Sequence, residues 1–542
     1  MKVRSFWPVV LGVILAVVLL VTSMGIASMS ATAPGATSPV SSGPTALATI
    51  VAGSFSNATA ISSAFWGVNV AVTQRFNGAD ATSVAATPVT YVRFPGGTLG
   101  EEFNYTSGTL TAVDGSQKAT RTTTADFVTS CKQFNCEAIM QLPAEIDRPA
   151  TAADYASYVV KTLKYQPAYW EIGNDPSGWT HFGVPWSEWK TEKGGNTTPA
   201  PFANLVHAYI TAILAVDPAA KFIALGAGAG KNYQEGWVKE LAIVDGHLLS
   251  GISVHSYIQG NGPSNPTDAE LFANLNGFYS LPAQITADRS YIKAACPSCT
   301  NLDVFVSEIN AAEDNSYDNL LPTFAGTLYL AAETVQGLAL HETNLDWFAY
   351  DSHFSGSWST GPKKWQMQYY LFSDIMPQLK TKTLSTTVTG PSTFYGIATY
   401  DSTGLSLLLV NVNTTKAVEI DPALVGFILG RSGVTEDSWQ DGAKLPTTSS
   451  VTLSSSLKVP PLSIVVLTVG SAGTKSPGQA AVAASAFALA GSAGPVPGAN
   501  AAGSPFVASP VGVDRPVLVP TVDPVRPSGP AEIRATIRPL AP

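Results

Sequence analysis

The sequence predicts a (β/α)8 TIM barrel followed by a small C-terminal antiparallel β-sandwich. Two observations lead to this fold class. Short apolar runs rich in β-branched residues alternate eight times with longer helix-like stretches, which is the chain order of a parallel barrel. Beyond residue 380 the strand patterns follow one another without a long helix between them, as in antiparallel sheets. A doubly wound parallel sheet is the alternative for the alternating part.

The chain begins with an export segment. Lys2 and Arg4 precede an apolar run that ends near Ile26 and is followed by small residues suited to cleavage. Residues 1–30 are therefore expected to be a signal peptide or an N-terminal membrane anchor, and cleavage is the favoured reading. Positive charge before the segment places the remaining chain outside the cell in either case. Residues 31–45 are a linker rich in Ser, Thr, Pro and Ala.

The predicted barrel covers residues 61–380. Its candidate strands are Phe65–Val70, Val89–Phe94, Glu137–Gln141, Ala168–Ile172, Phe222–Leu225, Gly251–His255, Leu302–Ser307 and Leu345–Tyr350. Helical patterns lie between them, for example at Ala153–Leu163, Phe202–Ala215, Tyr233–Val244 and Phe324–Leu340.

The predicted β-sandwich covers residues 381–470. Its strand patterns are Phe394–Tyr400, Leu405–Val412, Ser450–Leu453 and Leu462–Val469. Residues 46–60 hold one more strand, which could pair with this domain and hold the barrel against it. Residues 471–542 are rich in Pro, Ala and Gly, and we expect them to be disordered because they cannot bury enough apolar surface to offset ordering.

The four cysteines form two local pairs in the sequence, Cys131 with Cys136 and Cys296 with Cys299. An even number of cysteines in an exported chain favours two disulfides. A four-cysteine zinc site is the alternative. It is disfavoured because the first pair has the spacing C-x4-C and no histidine flanks either pair in the sequence.

The formal net charge of the chain is -9, and no cluster of basic residues occurs along it. Binding to nucleic acid needs such a cluster to neutralise phosphates, so nucleic acid is not an expected partner. Apolar residues make up 45% of the sequence, which is enough for a large core.

Polar residues follow four of the predicted barrel strands at their C-terminal ends, where the active sites of such barrels lie. They are Arg93-Phe94-Pro95-Gly96-Gly97 after the second strand, Glu171-Ile172-Gly173-Asn174-Asp175-Pro176 after the fourth, His255-Ser256-Tyr257 after the sixth and Ser307-Glu308-Ile309-Asn310 after the seventh. We therefore expect these segments to meet at one mouth.

Asp175 and Glu308 are the candidate catalytic acids. Two carboxyl groups at one mouth are the machinery of glycoside hydrolysis, in which one protonates the leaving oxygen and the other attacks or activates water. Arg93 is expected to keep Glu308 ionised, Tyr257 to orient it by a hydrogen bond, and Asn174 to hold a sugar hydroxyl. A lone acid at a strand end is more often a cap or a surface charge, so the prediction depends on the whole set.

Three further residues of these segments have open or different roles. Glu171 lies inside the fourth strand and is interpreted as a paired interior charge. His255 is either a core histidine or a member of the site. Gly97 is placed among the supporting residues of the mouth.

Tryptophans cluster near two of the strands, and sugar rings stack on such side chains. They are Trp170, Trp179, Trp186 and Trp189 around the fourth strand and Trp347, Trp358 and Trp365 around the eighth. Trp170 is expected to be barrel packing. Trp347, at the end of the eighth strand, is the predicted platform for a sugar ring.

The chain from about Ser62 to Val469 resembles the clan A glycoside hydrolases, most closely glycoside hydrolase family 79, the heparanase and β-glucuronidase group. The matching pieces are Gly67-Val68-Asn69, Arg93-Phe94-Pro95-Gly96-Gly97, Glu171-Ile172-Gly173-Asn174-Asp175-Pro176, Val306-Ser307-Glu308 and Pro460-Pro461-Leu462-Ser463. The resemblance implies a barrel with a β-sandwich, a glycan or glycoside substrate, retention of anomeric configuration, and Glu308 as the nucleophile. This chemistry requires no metal or organic cofactor.

The sequence departs from the family at one position, because the general acid/base of the family is a glutamate and this chain has Asp175 there. Aspartate is shorter by one methylene, about 1.5 Å of reach. Three alternatives are compatible with the shorter side chain. They are a backbone shift that restores the distance between the acids, a water-mediated mechanism, and a degenerate site that only binds carbohydrate. The alternatives to a β-glucuronidase-like enzyme are therefore a non-catalytic surface carbohydrate-binding protein and a related clan A arabinofuranosidase or xylosidase.

Overall fold

Eight parallel strands close into a barrel, which confirms the predicted fold class. In chain order they are Trp66–Asn69, Tyr91–Phe94, Glu137–Leu142, Tyr169–Ile172, Phe222–Ala227, Leu249–Tyr257, Asp303–Asn310 and Leu345–Trp347. Each strand pairs with the next one along the chain, and the eighth pairs with the first. Each of the eight predicted strands overlaps one of them, and the doubly wound alternative is excluded because the sheet is closed.

The computed structural model describes most of the residues between Thr45 and Gly470. The described residues are 45–76, 78–111, 117–145, 148–179, 182, 197–227, 234–257, 267–277, 280–311, 323–349, 367–420, 434–443, 445–451 and 456–470. The predicted export segment (1–30), nearly all of the linker and the predicted disordered tail (471–542) lie outside them. No helix among the described residues is long and apolar enough to cross a membrane.

Helices connect the barrel strands. They are Gly78–Ala85, Thr124–Phe134, Pro149–Ser157, Pro199–Leu214, Gln234–Asp245, Asp268–Ala273, Leu281–Ala295, Phe324–Ala339 and the short Met367–Tyr370. The helix Thr124–Phe134 shows how the sequence sets their limits. Thr123 accepts a hydrogen bond from the backbone of Asp126, whose carboxylate accepts one from the backbone of Thr123, and Asn135 ends the helix in the left-handed conformation.

The inside of the barrel is apolar at its base and polar at its mouth. The base is filled by a cluster of buried side chains from five positions around the barrel, Ala64, Tyr91, Ile139, Ile223 and Phe305. One level higher, a β-carbon on Gly67 would lie 1.2 Å from a carboxylate oxygen of Asp346 in the eighth strand, so only glycine fits there. The apolar base leaves the polar level open only toward the C-terminal ends of the strands.

Two sheets form the C-terminal domain. The larger has seven strands in the order Thr59–Ala60, Lys382–Thr383, Phe394–Asp401, Gly404–Asn411, Ser463–Gly470, Val434–Gln440 and Thr447–Val451. The smaller has four strands in the order Thr386–Thr389, Ala46–Ala52, Val418–Ile420 and Leu457–Val459. Apolar side chains from both sheets share one buried core, as in a β-sandwich.

The strand Ala46–Ala52 lies inside the smaller sheet. It runs antiparallel to Thr386–Thr389 on one side and parallel to Val418–Ile420 on the other. The chain thus contributes strands to this domain both before and after the barrel.

The helix Phe324–Ala339 lies between the barrel and the β-sandwich. Nearly every residue of this helix is buried, including its polar ones, because it is covered on two sides. The ring of Phe324 packs edge-on against Trp439 of the large sheet at 5.2 Å. A helix that is apolar all round is expected where two layers cover it.

The cysteines are joined as Cys131–Cys136 and Cys296–Cys299. The first bond joins the last turns of the helix Thr124–Phe134 to the residue before the third barrel strand. The second follows the helix Leu281–Ala295, with His247 beside it. Because the sulfurs are bonded in pairs, they are not thiolate ligands for zinc.

Three strands on the way from the second to the third barrel strand were not predicted. They form a small antiparallel sheet from Phe103–Asn104, Thr109–Thr111 and Gln117–Ala119. Strands this short leave no readable alternation of apolar and polar residues.

Candidate active site

Arg93 lies at the centre of the polar mouth. It lies near the end of the second strand, Tyr91–Phe94, and its side chain is fully buried. It donates hydrogen bonds to Glu171, to Oε1 of Glu308 at 2.6 Å, to Oδ1 of Asn69 at 2.9 Å and to Oδ1 of Asn174 at 2.8 Å. Burial lowers the pKa of the guanidinium, but the two glutamates outweigh it and the pKa is raised. Arginine is suited to this position because its planar fork reaches several acceptors at once.

Glu308 is held from two sides at the end of the seventh strand. Arg93 donates to its Oε1, and the hydroxyl of Tyr257 donates to its Oε2 at 2.7 Å. The side chain is 6% exposed. Both oxygens are therefore fixed in position while one edge of the carboxylate remains open to the mouth, the arrangement that a nucleophile needs.

Asp175 follows the fourth strand in a left-handed backbone conformation, with φ 44° and ψ 53°. Gly173, two residues earlier, also has a positive φ, 79°. Aspartate tolerates this region better than most residues with a side chain, glutamate included. The backbone at this position thus offers a physical reason for aspartate where the resembling family has glutamate.

His255 joins the two candidate acids. Its Nδ1 lies 3.1 Å from Oδ1 of Asp175 and 3.4 Å from Oε2 of Glu308. The two carboxylate oxygens can therefore be no further apart than the sum of these distances, about 6.5 Å. Retaining glycosidases hold their carboxyls about 5–5.5 Å apart and inverting ones about 6.5–9.5 Å. For these two oxygens, a distance of at most about 6.5 Å excludes nearly all of the separations found in inverting enzymes.

The charges at the mouth shift the pKa values of His255 and Asp175 in opposite directions. Burial lowers the pKa of His255, but the nearby Glu308 and Asp175 carboxylates outweigh it and the net pKa is raised. Burial raises the pKa of Asp175, but the nearby His255 and the charge of Arg93 outweigh it and the net pKa is lowered. Both shifts favour the charged forms of the two side chains.

Glu171 and Asn174 lie beside Arg93. Glu171 is fully buried, accepts from Arg93 and also accepts from Ser253 Oγ at 2.7 Å, so it is a paired interior charge. Asn174 is buried, and its backbone carbonyl accepts from Nε1 of Trp179 at 2.7 Å. Its contact with a sugar hydroxyl stays a prediction.

Trp347 is not a platform for a sugar, and that prediction is wrong. It is 1% exposed and packs between Trp66, with ring centroids 6.0 Å apart, and Phe372 at 3.9 Å. The next residue, Phe348, is half-buried at the mouth, with its ring 6.3 Å from that of Tyr257. Successive side chains of a strand point to opposite faces, so the sequence prediction was wrong by one position about which side chain faces the mouth.

Gly97 lies under Phe348. A β-carbon on Gly97 would lie 3.0 Å from Cε2 of Phe348 and 3.8 Å from Oε1 of Glu308. The backbone of Gly97 also has φ 87°, a conformation that favours glycine. Gly97 therefore supports the mouth by letting the chain pass close to the candidate nucleophile and the aromatic ring.

Among the other tryptophans, Trp170 and Trp179 are buried in the core. Trp170 is barrel packing, as expected. Trp186, Trp189, Trp358 and Trp365 lie outside the described residues.

Glu101 was missed by the sequence analysis. It is buried beneath the loops of the mouth and accepts hydrogen bonds from the backbone of Ala144 at 2.6 Å and of Glu145 at 2.9 Å. Burial raises its pKa to about 8, against the lowering effect of these bonds. Its place four residues after Gly97 was the only sequence signal, because burial of one acid in a loop leaves no pattern.

The fold and the site define a (β/α)8 barrel with a β-sandwich and two facing acids at its mouth. No protein-family model matches the chain, and no curated protein matches it by sequence. Solved structures match its fold. An α-L-arabinofuranosidase from Thermotoga maritima aligns with a TM-score of 0.62 and 14% identity, covering 78% of this chain and 100% of that one.

Two further structures show the range of these matches. A family 51 α-L-arabinofuranosidase from Bifidobacterium longum has a TM-score of 0.64 and 14% identity, covering 79% of this chain and 99% of its own. A family 44 xyloglucanase from Paenibacillus polymyxa has a TM-score of 0.57 and 11% identity, covering 78% and 99%. The likeness establishes the fold. The resemblance to family 79 stays a prediction.

Proposed function

We propose that this chain is an exported, retaining glycoside hydrolase in which Glu308 is the nucleophile and Asp175 belongs to the general acid/base. The short distance between the two acids, bridged by His255 at 3.1 and 3.4 Å, carries the proposal. It supports retention because a nucleophile must touch the anomeric carbon directly, without a water between them. The names of the matching structures, arabinofuranosidases and a xyloglucanase, support the same reaction class.

The chemistry follows from the positions of the groups. Glu308 attacks the anomeric carbon while the leaving oxygen receives a proton from the side of Asp175, and water then cleaves the resulting ester. Arg93 and Tyr257 hold the attacking carboxylate in one orientation. Phe348 offers its ring to the apolar face of a sugar.

The substrate class has two sources of support. The strand-end pieces around Arg93, Asn174 and Glu308 resemble the β-glucuronidase group, and we place β-glucuronides first on this ground. The matching structures favour α-L-arabinofuranosides as the second candidate. Both candidates share the retaining two-carboxylate reaction, so a panel of substrates separates them without changing the assigned residues.

We further propose that the enzyme acts outside the cell, on oligosaccharides or polysaccharides. Support comes from the apolar segment after Lys2 and Arg4 and from the two disulfides, which persist in oxidising surroundings. Attachment to the membrane through the N-terminus would keep the barrel at the cell surface.

The test is hydrolysis of 4-nitrophenyl glycosides by the purified protein, using β-glucuronide, α-L-arabinofuranoside, β-xyloside and β-glucoside. We expect turnover of one of them and loss of detectable turnover in Glu308→Gln. The matched control is Glu235→Gln on the exposed helix Gln234–Asp245, which should keep full activity. Equal activity of the wild type and Glu308→Gln would exclude Glu308 as the nucleophile.

Retention is tested separately by proton NMR of the first sugar anomer released. The same anomer as in the substrate is expected, together with a covalent adduct on Glu308 after treatment with a 2-fluoro glycoside. The inverted anomer would contradict the assigned mechanism. Binding of oligosaccharides without any turnover would favour the non-catalytic carbohydrate-binding alternative.

A further inference from the structure

His255 occupies an unusual position for a buried histidine. Its side chain is 1% exposed, and Nδ1 faces two carboxylates from different strands, Asp175 and Glu308. The other charged or titratable groups that act on it are Arg93 from the second strand and Tyr257 from its own strand, whose ring lies 6.4 Å away. A substrate at the mouth cannot touch a side chain so buried, so His255 must act through a neighbour.

The carboxyl of Asp175 spans the distance between that histidine and the mouth. Its Oδ1 is buried on the side of His255, while the side chain as a whole is 37% exposed. The exposed area therefore belongs to the other atoms of the side chain. One residue thus contacts both the buried histidine and the space that a leaving group would occupy.

The resting charges conflict with a simple acid role for Asp175. A general acid must hold a proton before the reaction, and its pKa should lie near the working pH. Here His255 and Arg93 outweigh burial and lower the pKa of Asp175, while the pKa of His255 is raised. Asp175 alone would begin the reaction without a proton to give.

We infer that Asp175 and His255 act as one proton donor, in which His255 holds the proton at Nδ1 and Asp175 passes it to the leaving oxygen. The inference rests on the proposed function and deepens it. His255 is then a positioning and proton-holding residue, and Asp175 is the residue that touches the substrate.

The trigger is the loss of charge on Glu308. When its oxygen forms a bond to the anomeric carbon, the bond to the leaving oxygen breaks and its electron pair goes to that oxygen. Asp175 accepts the Nδ1 proton of His255 and passes it to that oxygen, so His255 ends neutral and Asp175 ends as a carboxylate again. The carboxylate that stabilised the charged histidine has become a neutral ester at that moment, so the proton leaves His255 more readily.

The second step returns the proton. Water attacks the ester, loses a proton to Asp175, and frees Glu308 as a carboxylate. The restored charge on Glu308 favours the proton on His255 again. The site begins and ends with a charged histidine and two carboxylates, and no other reactant is needed.

The first experiment needs no substrate. Histidine ring NMR signals are followed against pH in the wild type, in Glu308→Gln and in Asp175→Asn, with the His255 signal assigned through His255→Asn. We expect His255 to titrate above the ordinary histidine value of about 6.5, and to titrate at lower pH in both variants. A neutral His255 at pH 6 in the wild type, or a titration that Glu308→Gln leaves unchanged, would overturn the inference.

The second experiment uses aryl glycosides of the sugar that the wild type hydrolyses, with leaving groups from 2,4-dinitrophenol to phenol. His255→Asn should lower kcat/KM on the order of 10²-fold for phenol, which needs a proton, and only a few-fold for dinitrophenol, which does not. The basic limb of the pH profile should move to lower pH. A merely structural role would lower all substrates alike and leave the profile in place.

His247→Asn, at an exposed histidine, is the matched control and should behave as the wild type. Failure of the proposed function has a different signature from failure of the relay. It would show as no turnover of any glycoside by the wild type, and the NMR titration would then decide the proton position by itself.

Discussion

Each rim of the barrel has one arginine that contacts two acids, and the two sets of side chains differ in burial. At the mouth, Arg93 contacts Glu171 and Glu308, and these side chains are 0%, 0% and 6% exposed. At the opposite rim, Arg289 contacts Asp303 and Glu342 at 3.0 Å each, and both Arg289 and Asp303 are about one-third exposed. One arginine joins two acids in each case, but only the mouth encloses all three.

The difference shows how burial changes the pKa of an acid that has an enclosed cation beside it and of an acid that has none. Near Arg289, burial raises the pKa of Asp288 to about 7 and of Glu342 to about 8. At the mouth, the charges of His255 and Arg93 lower the pKa of Asp175 in spite of burial. The enclosed cations thus oppose the effect of burial on Asp175, whereas burial is unopposed at Asp288, and residues of that other rim are expected to contribute to folding.

The largest expected effect is removal of the enclosed cation. Arg93→Met removes the cation that pairs with the buried Glu171 and Glu308, so the free energy of unfolding should fall by about 3–5 kcal/mol and turnover should be lost. Arg289→Met at the other rim is the control. It should cost less than Arg93→Met, because Arg289 and Asp303 are about one-third exposed, and it should keep activity. Urea unfolding of both variants measures this, and equal losses would contradict the comparison.

The next effect concerns reach at the mouth. Asp175→Glu places a longer side chain on a residue with a left-handed backbone conformation. In the wild type, the carboxyl of this residue contacts His255. We expect kcat to fall on the order of 100-fold, because a displacement of about 1 Å can cost this much. Steady-state kinetics with the hydrolysed aryl glycoside is the measurement. A gain of activity would instead show that the natural site is degenerate.

A backbone effect of intermediate size is expected at Gly97. Gly97→Ala forces a side chain into a conformation with φ 87° and places its β-carbon 3.0 Å from Phe348. Such strain costs about 1–3 kcal/mol, and KM should rise because the ring above the mouth is displaced. Gly178→Ala is the matched control, since nothing lies within 4 Å of a β-carbon there. Thermal unfolding and KM of the two variants decide the prediction.

The smallest effect is a pH dependence at the rim opposite the mouth. Because burial raises the pKa of Asp288 to about 7, its contribution to stability is complete below the ordinary aspartate value near 4 and is lost as pH rises through about 7. Raising the pH from 5 to 7 should cost at most about 2 kcal/mol from this group. Asp288→Asn should flatten that part of the profile. An unchanged slope in the variant would show that Asp288 is not the group responsible.

The sequence predicted the barrel because alternation of short apolar runs and helices has few other solutions. It also placed Arg93, Asp175, His255 and Glu308 at one mouth, because the C-terminal ends of parallel strands meet there. The order of the strands along the chain decides which residues lie at the mouth. The prediction therefore holds even when a strand boundary is wrong by one or two residues.

Other features could not be predicted in this way. Trp347 was assigned to the mouth in place of Phe348 because a strand of three residues is too short for its sequence to show which side chains point inward. The contact of His255 with both acids depends on distances across the barrel, which no local pattern records. Glu101 and Asp288 differ from surface acids only in their burial, which tertiary packing decides.

The strand Ala46–Ala52 has a consequence for the order in which the protein can be completed. Its neighbours in the sheet are Thr386–Thr389 and Val418–Ile420, more than three hundred residues later in the chain. A fragment that stops before Val418 therefore cannot finish the sheet to which its own beginning belongs. During synthesis from the N-terminus, this sheet can be completed only after Leu457–Val459, its last strand, has been made.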